Sequence, residues 1–394
     1  MPGTSSALVA ATATDRRPEH DLLLACAASC SEGERARRIT DVVARGVDWD
    51  LVLRLARGHG LLALLHWHLD RLGYPGVPGA VARELREEFR STSWRNVFLM
   101  GELFQLLDLF AANGIAAIPF KGPVLAATVY GNVALRQFSD LDVLVRARDR
   151  IRARDVLLAN GFALCQEWDQ VQQFNHEYTL VAKGGRVGVD VHWEVFPQSV
   201  FPIEAAGLWE RSESATMAGR EVATFSPEDT LLVLCVHGDT HLWGRLKWIC
   251  DVARLLDAYP ALDWGQVLRC ARRSGSERIV FLGLRIAADL LGARVPEDID
   301  RRIRADRAVD ALAAEVIARL FRAEALTAVS LDLERSIFQL RSRPRLWDKI
   351  RLAATPNETD WALLPLPTWL YPLYYVVRPF RLLIKYSLGR IAGR

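Results

Sequence analysis

Phe138-Ser139-Asp140-Leu141-Asp142-Val143-Leu144-Val145 is the stretch on which the reading of this chain turns. Side chains two apart on a strand point to one face, so a strand here sets Asp140 and Asp142 on one side while Leu141 and Val143 face a core. Two carboxylates on one face beside an apolar run repel each other, and burial raises that repulsion unless positive charge lies between them. A divalent cation meets the need, and hard oxygen ligands suit magnesium.

Working outward, Ile115–Phe120 reads as a short apolar strand, followed by Lys121-Gly122-Pro123. Gly122 permits a tight turn and lets backbone N–H groups approach a phosphate, and Pro123 fits the first turn of a helix over Val124–Tyr130. Asp149 stands where it caps a helix over 150–159, which Asn160-Gly161 ends. Tyr178–Ala182 and Val187–His192 are β-rich and flank the four-residue turn Lys183–Arg186, a hairpin signal. Asp190 and His192 share one face of the second strand. If it lies beside 139–145, Asp190 supplies a third carboxylate, and three carboxylates can hold two metal ions for phosphoryl or nucleotidyl transfer. Lys121 and Arg136 are nearby cations able to meet phosphate, with solvated surface side chains the plain alternative, and His192 is placed to orient Asp190, touch phosphate or make a structural hydrogen bond.

The surroundings are helical. The apolar spacing predicts helices at Asp50–Arg57, Leu61–Leu72 and Val97–Phe110, and again from Glu228 onward after Ser226-Pro227. The expected organisation is a disordered N-terminus (1–20), a helical region (21–113), an α/β core (114–196), a mixed linker (197–227), a helical domain (228–350) and an aromatic, basic tail (351–394). His237 and His241 stand one turn apart on a predicted helix. Gly238 replaces the glutamate of an H-E-x-x-H metalloprotease motif, so core packing is the plainer reading of the pair, with substrate contact or a metal ion as the alternatives. Lys247, with Trp243, Trp248 and Asp251, continues that region.

Composition sets the bounds. The 394 residues carry 50 basic and 47 acidic side chains, net +3, which argues against a dedicated nucleic-acid surface. Only five of the basic residues are lysines, which draws attention to Lys121. Six cysteines without a C-x-x-C pair point away from a disulfide framework or zinc ribbon, and the N-terminus lacks the charge order of a signal peptide, so a cytoplasmic protein is expected. The Trp361–Val377 run is broken by three prolines and is not expected to span a membrane. Residues 361–394 are amphipathic and basic enough to offer a weak membrane-surface contact, although packing onto the helical domain is the plainer reading.

A strand ending at Lys121-Gly122, a short helix, D-x-D on a strand and a later strand with a third Asp together resemble the polymerase-β-like nucleotidyltransferase superfamily. More narrowly, Phe120-Lys121-Gly122, Tyr130, Arg136, Ser139-Asp140-Leu141-Asp142 and Asp190-Val191-His192-Trp193 resemble a bacterial family of uncharacterised nucleotidyltransferases. The likeness extends through His237, His241-Leu242-Trp243, Lys247-Trp248-Ile249 and Asp251. It implies a small polymerase-β-like α/β core flanked by N- and C-terminal helical domains. It also implies Mg²⁺- or Mn²⁺-dependent transfer of a nucleoside monophosphate from an NTP to an acceptor, with pyrophosphate leaving. By matching position, Asp140 and Asp142 would bind two metal ions. Asp190 would complete the second site and help deprotonate the acceptor, Gly122 would belong to the phosphate loop, and the helical domain would hold base or acceptor through His237, His241 or Lys247. Two departures stand out: Pro123 replaces the usual Ser or Gly after Gly122, and the interval to Asp140 is long. They motivate an alternative, a nucleotide- or partner-binding protein on the same fold without turnover. A peripheral membrane protein is a third reading, resting on the tail alone.

Overall fold

The computed structural model describes residues 16–165, 176–182, 184–321 and 328–356, with 366, 370, 373–378 and 381. It is largely helical, with a five-stranded mixed sheet and a separate hairpin.

Four short helices come first among the described residues: α1 (Pro18–Ala27), α2 (Glu32–Ala44), α3 (Trp49–His59) and α4 (Leu62–Arg71). Ser31 and Asp48 cap α2 and α3 by accepting from Glu34 N and Leu51 N, and Gly60 closes α3 in the left-handed conformation. The long α5 (Gly79–Ala112) follows. Periodicity marks only its distal half, because the proximal half is rich in Arg and Glu and buries little beyond Val81, Ala82 and Leu85.

The strands are β1 (Ala117–Phe120), β2 (Asp140–Val145), β3 (Phe162–Leu164), β4 (Glu177–Ala182) and β5 (Gly188–His192), in spatial order β1-β2-β5-β4-β3. All neighbours run antiparallel except β2 and β5. Between β1 and β2 lies α6 (Gly122–Thr128), and α7 (Arg150–Ala159) leads to β3. Asp149 does occupy the N-cap of α7, but its side chain makes no capping hydrogen bond.

Strand alternation divides the burial between two cores. Leu141, Val143, Val145, Val189 and Val191 face one side, where they pack with Leu99, Leu103, Phe110, Ala153 and Leu157 of α5 and α7. Ile118, Phe120 and Leu144 face the other side and join the larger helical core. That larger core is built jointly by helices from both ends of the chain: Leu22, Leu65, Leu231, Val252 and Ile286 belong to it, and Ser29 N donates to Leu291 O across the seam at 2.7 Å.

The stretch expected as a linker is more ordered than its composition suggests. It holds α8 (Ala205–Glu210) and the hairpin β6 (Glu213–Met217)–β7 (Arg220–Thr224), turning at Ala218-Gly219, both at positive φ. The hairpin escapes a periodicity search because only Met217 and Val222 are buried in it.

Beyond it come α9 (Pro227–Thr240), α10 (Leu246–Ala258), α11 (Trp264–Arg273), α12 (Glu277–Leu291), α13 (Glu297–Ala305), α14 (Arg307–Leu320), α15 (Ala328–Ser342) and α16 (Leu346–Ala354). Ser226 caps α9 by accepting from Asp229 N at 3.2 Å, as the Ser-Pro start predicts. Among the described residues no helix is long and apolar enough to cross a membrane. Most of 361–394, the stretch considered for membrane contact, and residues 1–15 of the expected disordered N-terminus lie outside the described residues.

Candidate active site

The parallel pairing of β2 with β5 puts Asp142 directly opposite Asp190, with Asp140 two residues back on the same face opposite Gly188. Phe120 pairs with Asp142 across β1, so the turn that leaves β1 passes beside the carboxylates. Lys121 there adopts φ 56°, ψ −139°, a conformation uncommon for a residue with a Cβ, and Gly122 follows at φ 28°. A Cβ on Gly122 would sit 3.3 Å from the Asp140 carbonyl oxygen, so glycine is what allows this close approach.

All ten candidate residues singled out above line one cavity of about 520 Å³. Lys121, Gly122, Arg136, Asp140, Asp142, Asp190 and His192 come from the sheet side, and His237, His241 and Lys247 from α9, its end and α10. Asp140 is exposed, Asp190 half-buried and Asp142 buried. A second cavity of about 320 Å³ lies behind the Lys121 turn, but its wall is mostly apolar and Glu213 is its one carboxylate among the described residues.

A chain of alternating charges runs across the sheet face. Lys121 Nζ lies 3.1 Å from Asp142 Oδ1, and His192 Nε2 approaches the same oxygen to 3.3 Å. On its other side His192 Nδ1 is 2.9 Å from Glu177 Oε2, off the line of a hydrogen bond, and His176 Nε2 is 3.4 Å from that oxygen. Burial alone would raise the Asp142 pKa, but Lys121 and His192 hold it well below the usual carboxylate range. Burial would likewise depress His192, yet Glu177 and Asp142 push it up to about 9. Asp190 goes the other way, raised to about 6 by burial and by the charges of Glu177 and Asp142, against a hydrogen bond from Thr179. Two carboxylates facing each other across the strands therefore differ in proton affinity because Lys121 and His192 contact Asp142 directly, whereas burial and like charge outweigh His192 at Asp190.

Arg136 lines the cavity but its guanidinium is engaged. It forms a bidentate pair with Asp251 of α10, Nε to Oδ1 at 2.8 Å and Nη2 to Oδ2 at 2.9 Å, while Tyr130 Oη donates to Asp251 Oδ1 at 2.7 Å. Asn96 Nδ2 holds the Arg136 and Val133 carbonyls at 2.9 and 2.7 Å. The group that sequence reasoning offers to phosphate thus ties the sheet unit to the helical core.

On the facing wall, His237 and His241 have ring centroids 4.6 Å apart, and His241 stacks on Trp248 at 4.9 Å. Burial, with the charge of Lys121, drives His237 far below its ordinary pKa and His241 to about 4, so both are neutral rings at pH 7. Gly238 between them has a packing reason: a Cβ there would lie 2.5 Å from the buried Trp243 ring. Lys247 Nζ reaches Gln137 O at 3.3 Å, and burial, then Arg136, lowers it to about 8.

His176 and Glu177 escape the sequence reading. They precede the recognised strand Tyr178–Ala182, and Glu177 faces His192 only through the register of β4 with β5. The signal was present: Ala182 and Val187 flank the hairpin turn, and counting back from them pairs 177 with 192.

Comparison with known proteins adds an independent line. A family described as uncharacterised nucleotidyltransferase matches residues 45–292, which includes β1 to β5, the Lys121 turn, α9 and α10. No curated protein matches the chain. A solved structure, an antigenic nucleotidyltransferase-like protein from Paracoccidioides brasiliensis, aligns at 16% identity over 51% of this chain and 93% of its own, with a TM-score of 0.30. The family match spans well over half the sequence and contains the whole carboxylate face: the chain belongs to the uncharacterised nucleotidyltransferase family.

Proposed function

We propose that this protein transfers a nucleoside monophosphate from an NTP to a hydroxyl or phosphate of a small-molecule, glycan or peptide acceptor, releasing pyrophosphate, on a polymerase-β-like core. The observation that carries the reading is the β2–β5 register, which sets Asp142 against Asp190 with Asp140 on the same face, opening onto the 520 Å³ cavity. The donor set fits Mg²⁺ or Mn²⁺: three carboxylates, oxygen-only, with Lys121 Nζ standing on Asp142 as a cation does. Two bound ions would supply charge stabilisation for the attacking and leaving oxygens.

The chain's own residues do the rest. Gly122 leaves room for phosphate against the backbone at the β1 exit, and Lys121 turns from Asp142 to a non-bridging phosphate oxygen. Asp190 accepts the acceptor's proton at a carboxylate oxygen. His237, His241, Trp248 and Lys247, on the opposite wall, hold the base or the acceptor, the stacked His241–Trp248 pair offering a flat surface. His192 holds Asp142 in place. Arg136 acts through position, fixing the Asn132–Arg136 connection that leads into β2.

The test is incubation of purified protein with each α-labelled NTP and Mg²⁺ or Mn²⁺, following pyrophosphate and label transfer over a panel of acceptors. Label transfer lost in Asp140→Ala/Asp142→Ala supports the reading. Equal background from wild type and variant with every acceptor refutes it. The alternative, nucleotide binding without turnover, is favoured by Pro123 in the phosphate loop and by the Lys121–Asp142 pair, and predicts saturable NTP binding with no pyrophosphate.

A further inference from the structure

We propose that His176, Glu177 and His192 form a nitrogen-donor metal site, distinct from the three-carboxylate set, which takes a borderline divalent transition-metal ion such as Zn²⁺. The inference does not depend on the nucleotidyl-transfer reading.

Among the described residues this is the one cluster of three His, Cys, Asp or Glu whose donor atoms converge, all within 4.8 Å of one another. Glu177 Oε2 lies 2.9 Å from His192 Nδ1 and 3.4 Å from His176 Nε2. Two donors each about 2.1 Å from one ion sit roughly 3.0 Å apart at a right angle and roughly 3.4 Å apart at the tetrahedral angle. These two gaps are those of ligands around a common centre.

The second observation concerns His192 itself. Its ring is buried, 3% exposed, and Nδ1 has no hydrogen-bond partner among the described residues although it is turned toward Glu177. On the far side, Nε2 stands 3.3 Å from Asp142 Oδ1. A carboxylate on one ring nitrogen draws the proton there and presents the other nitrogen's lone pair, which is the outer-shell arrangement of a metal-binding histidine. Nδ1 and Glu177 Oε2 face each other at 2.9 Å, and a cation bound between them would take the place of the Nδ1 proton of the metal-free protein.

The backbone holds the cluster firmly. Antiparallel pairing of β4 with β5 sets Glu177 opposite His192, and Trp193 N and Glu194 N both donate to His176 O at 2.9 and 3.3 Å. Imidazole donors favour Zn²⁺ and its neighbours over Mg²⁺, which prefers the all-oxygen set next door. His176 and Glu177 remain 23% and 33% exposed on the cavity wall, so an ion with three protein ligands keeps open positions toward the chamber that holds the carboxylates. Those positions suit an oxygen of a phosphate or acceptor.

The experiment uses the full chain, stripped by chelation and titrated with Co²⁺ as a spectroscopic probe and Zn²⁺ as competitor, in excess Mg²⁺. The expected result is one equivalent of Co²⁺ with visible d–d bands of nitrogen ligation, displaced by Zn²⁺ and indifferent to Mg²⁺. Asp142→Asn, which removes the carboxylate behind His192 and leaves the three proposed ligands in place, weakens this binding about 10- to 100-fold. His176→Ala and Glu177→Ala, which remove proposed ligands where Asp142→Asn removes none, weaken it further, with thermal unfolding followed by circular dichroism to show that each variant folds. The inference is overturned if wild type gives no such spectrum. It is equally overturned if His176→Ala and Glu177→Ala, folded, bind Co²⁺ as wild type does, or if Asp190→Asn abolishes the signal while His176→Ala leaves it intact.

Discussion

The Arg136–Asp251 pair gives the sharpest energetic prediction. Both side chains are almost wholly buried, 6% and 1% exposed, and they meet through two hydrogen bonds of 2.8 and 2.9 Å. Burial works against the Arg136 charge, and Asp251 more than compensates, so its pKa lies above even the usual arginine value. Removing one partner strands the other in the interior, at about 3–5 kcal/mol. Asp251→Ala also takes the acceptor from Tyr130 Oη, adding about 1 kcal/mol. Replacing both charges by apolar groups removes the stranded charge, so Arg136→Met/Asp251→Leu, with Tyr130→Phe to avoid an orphaned hydroxyl, should be more stable than either single variant. Urea unfolding followed by tryptophan fluorescence reads the difference, and the midpoints rank wild type first, the combined variant next and the two singles last. Single variants within about 1 kcal/mol of wild type, or a combined variant as unstable as the sum of the singles, would refute the assignment of this pair as the buried clamp between sheet and helices.

Two further predictions follow from packing and protonation. Gly238→Ala places a methyl group 2.5 Å from the fully buried Trp243 ring, overpacking that costs about 1–3 kcal/mol; a lower unfolding temperature with altered tryptophan fluorescence is expected, and an unchanged melt would contradict the packing. His59 is held at about pKa 4 by burial first and then by His20 and Arg245, and its Nδ1 accepts from Leu246 N at 3.3 Å. Because the folded value lies below the unfolded one of about 6.5, the folded state binds fewer protons between them. Stability is therefore full above pH 6.5 and falls as pH drops toward 4, by up to about 3 kcal/mol from this group. His59→Gln should flatten that part of the stability–pH curve, and an unchanged slope would show that His59 is not held neutral.

The site was more legible than the fold that carries it. Asp140, Asp142 and Asp190 announce themselves because strand alternation converts spacing into facing, and a carboxylate beside Leu141 or Val191 is conspicuous. Arg136 shows the limit: its partner Asp251 is 115 residues away, and only tertiary packing reveals that its charge is already engaged. Glu177 needed register as well as alternation. The β6–β7 hairpin had no apolar rhythm to find, since only Met217 and Val222 are buried in it and most of its residues face outward. Residues 21–113 and 228–350 each read as helical, but nothing local says that Leu22 and Ile286 belong to one core.

The central claim is that the face bearing Asp140, Asp142 and Asp190 carries out nucleotidyl transfer, and single-turnover pyrophosphate release tests it most directly. With an accepted NTP and acceptor, Asp190→Asn should bind nucleotide within a few-fold of wild type yet release pyrophosphate about 10²- to 10⁴-fold more slowly, as expected for loss of the group that takes the acceptor's proton. Release at the wild-type rate from folded Asp190→Asn protein would contradict the account.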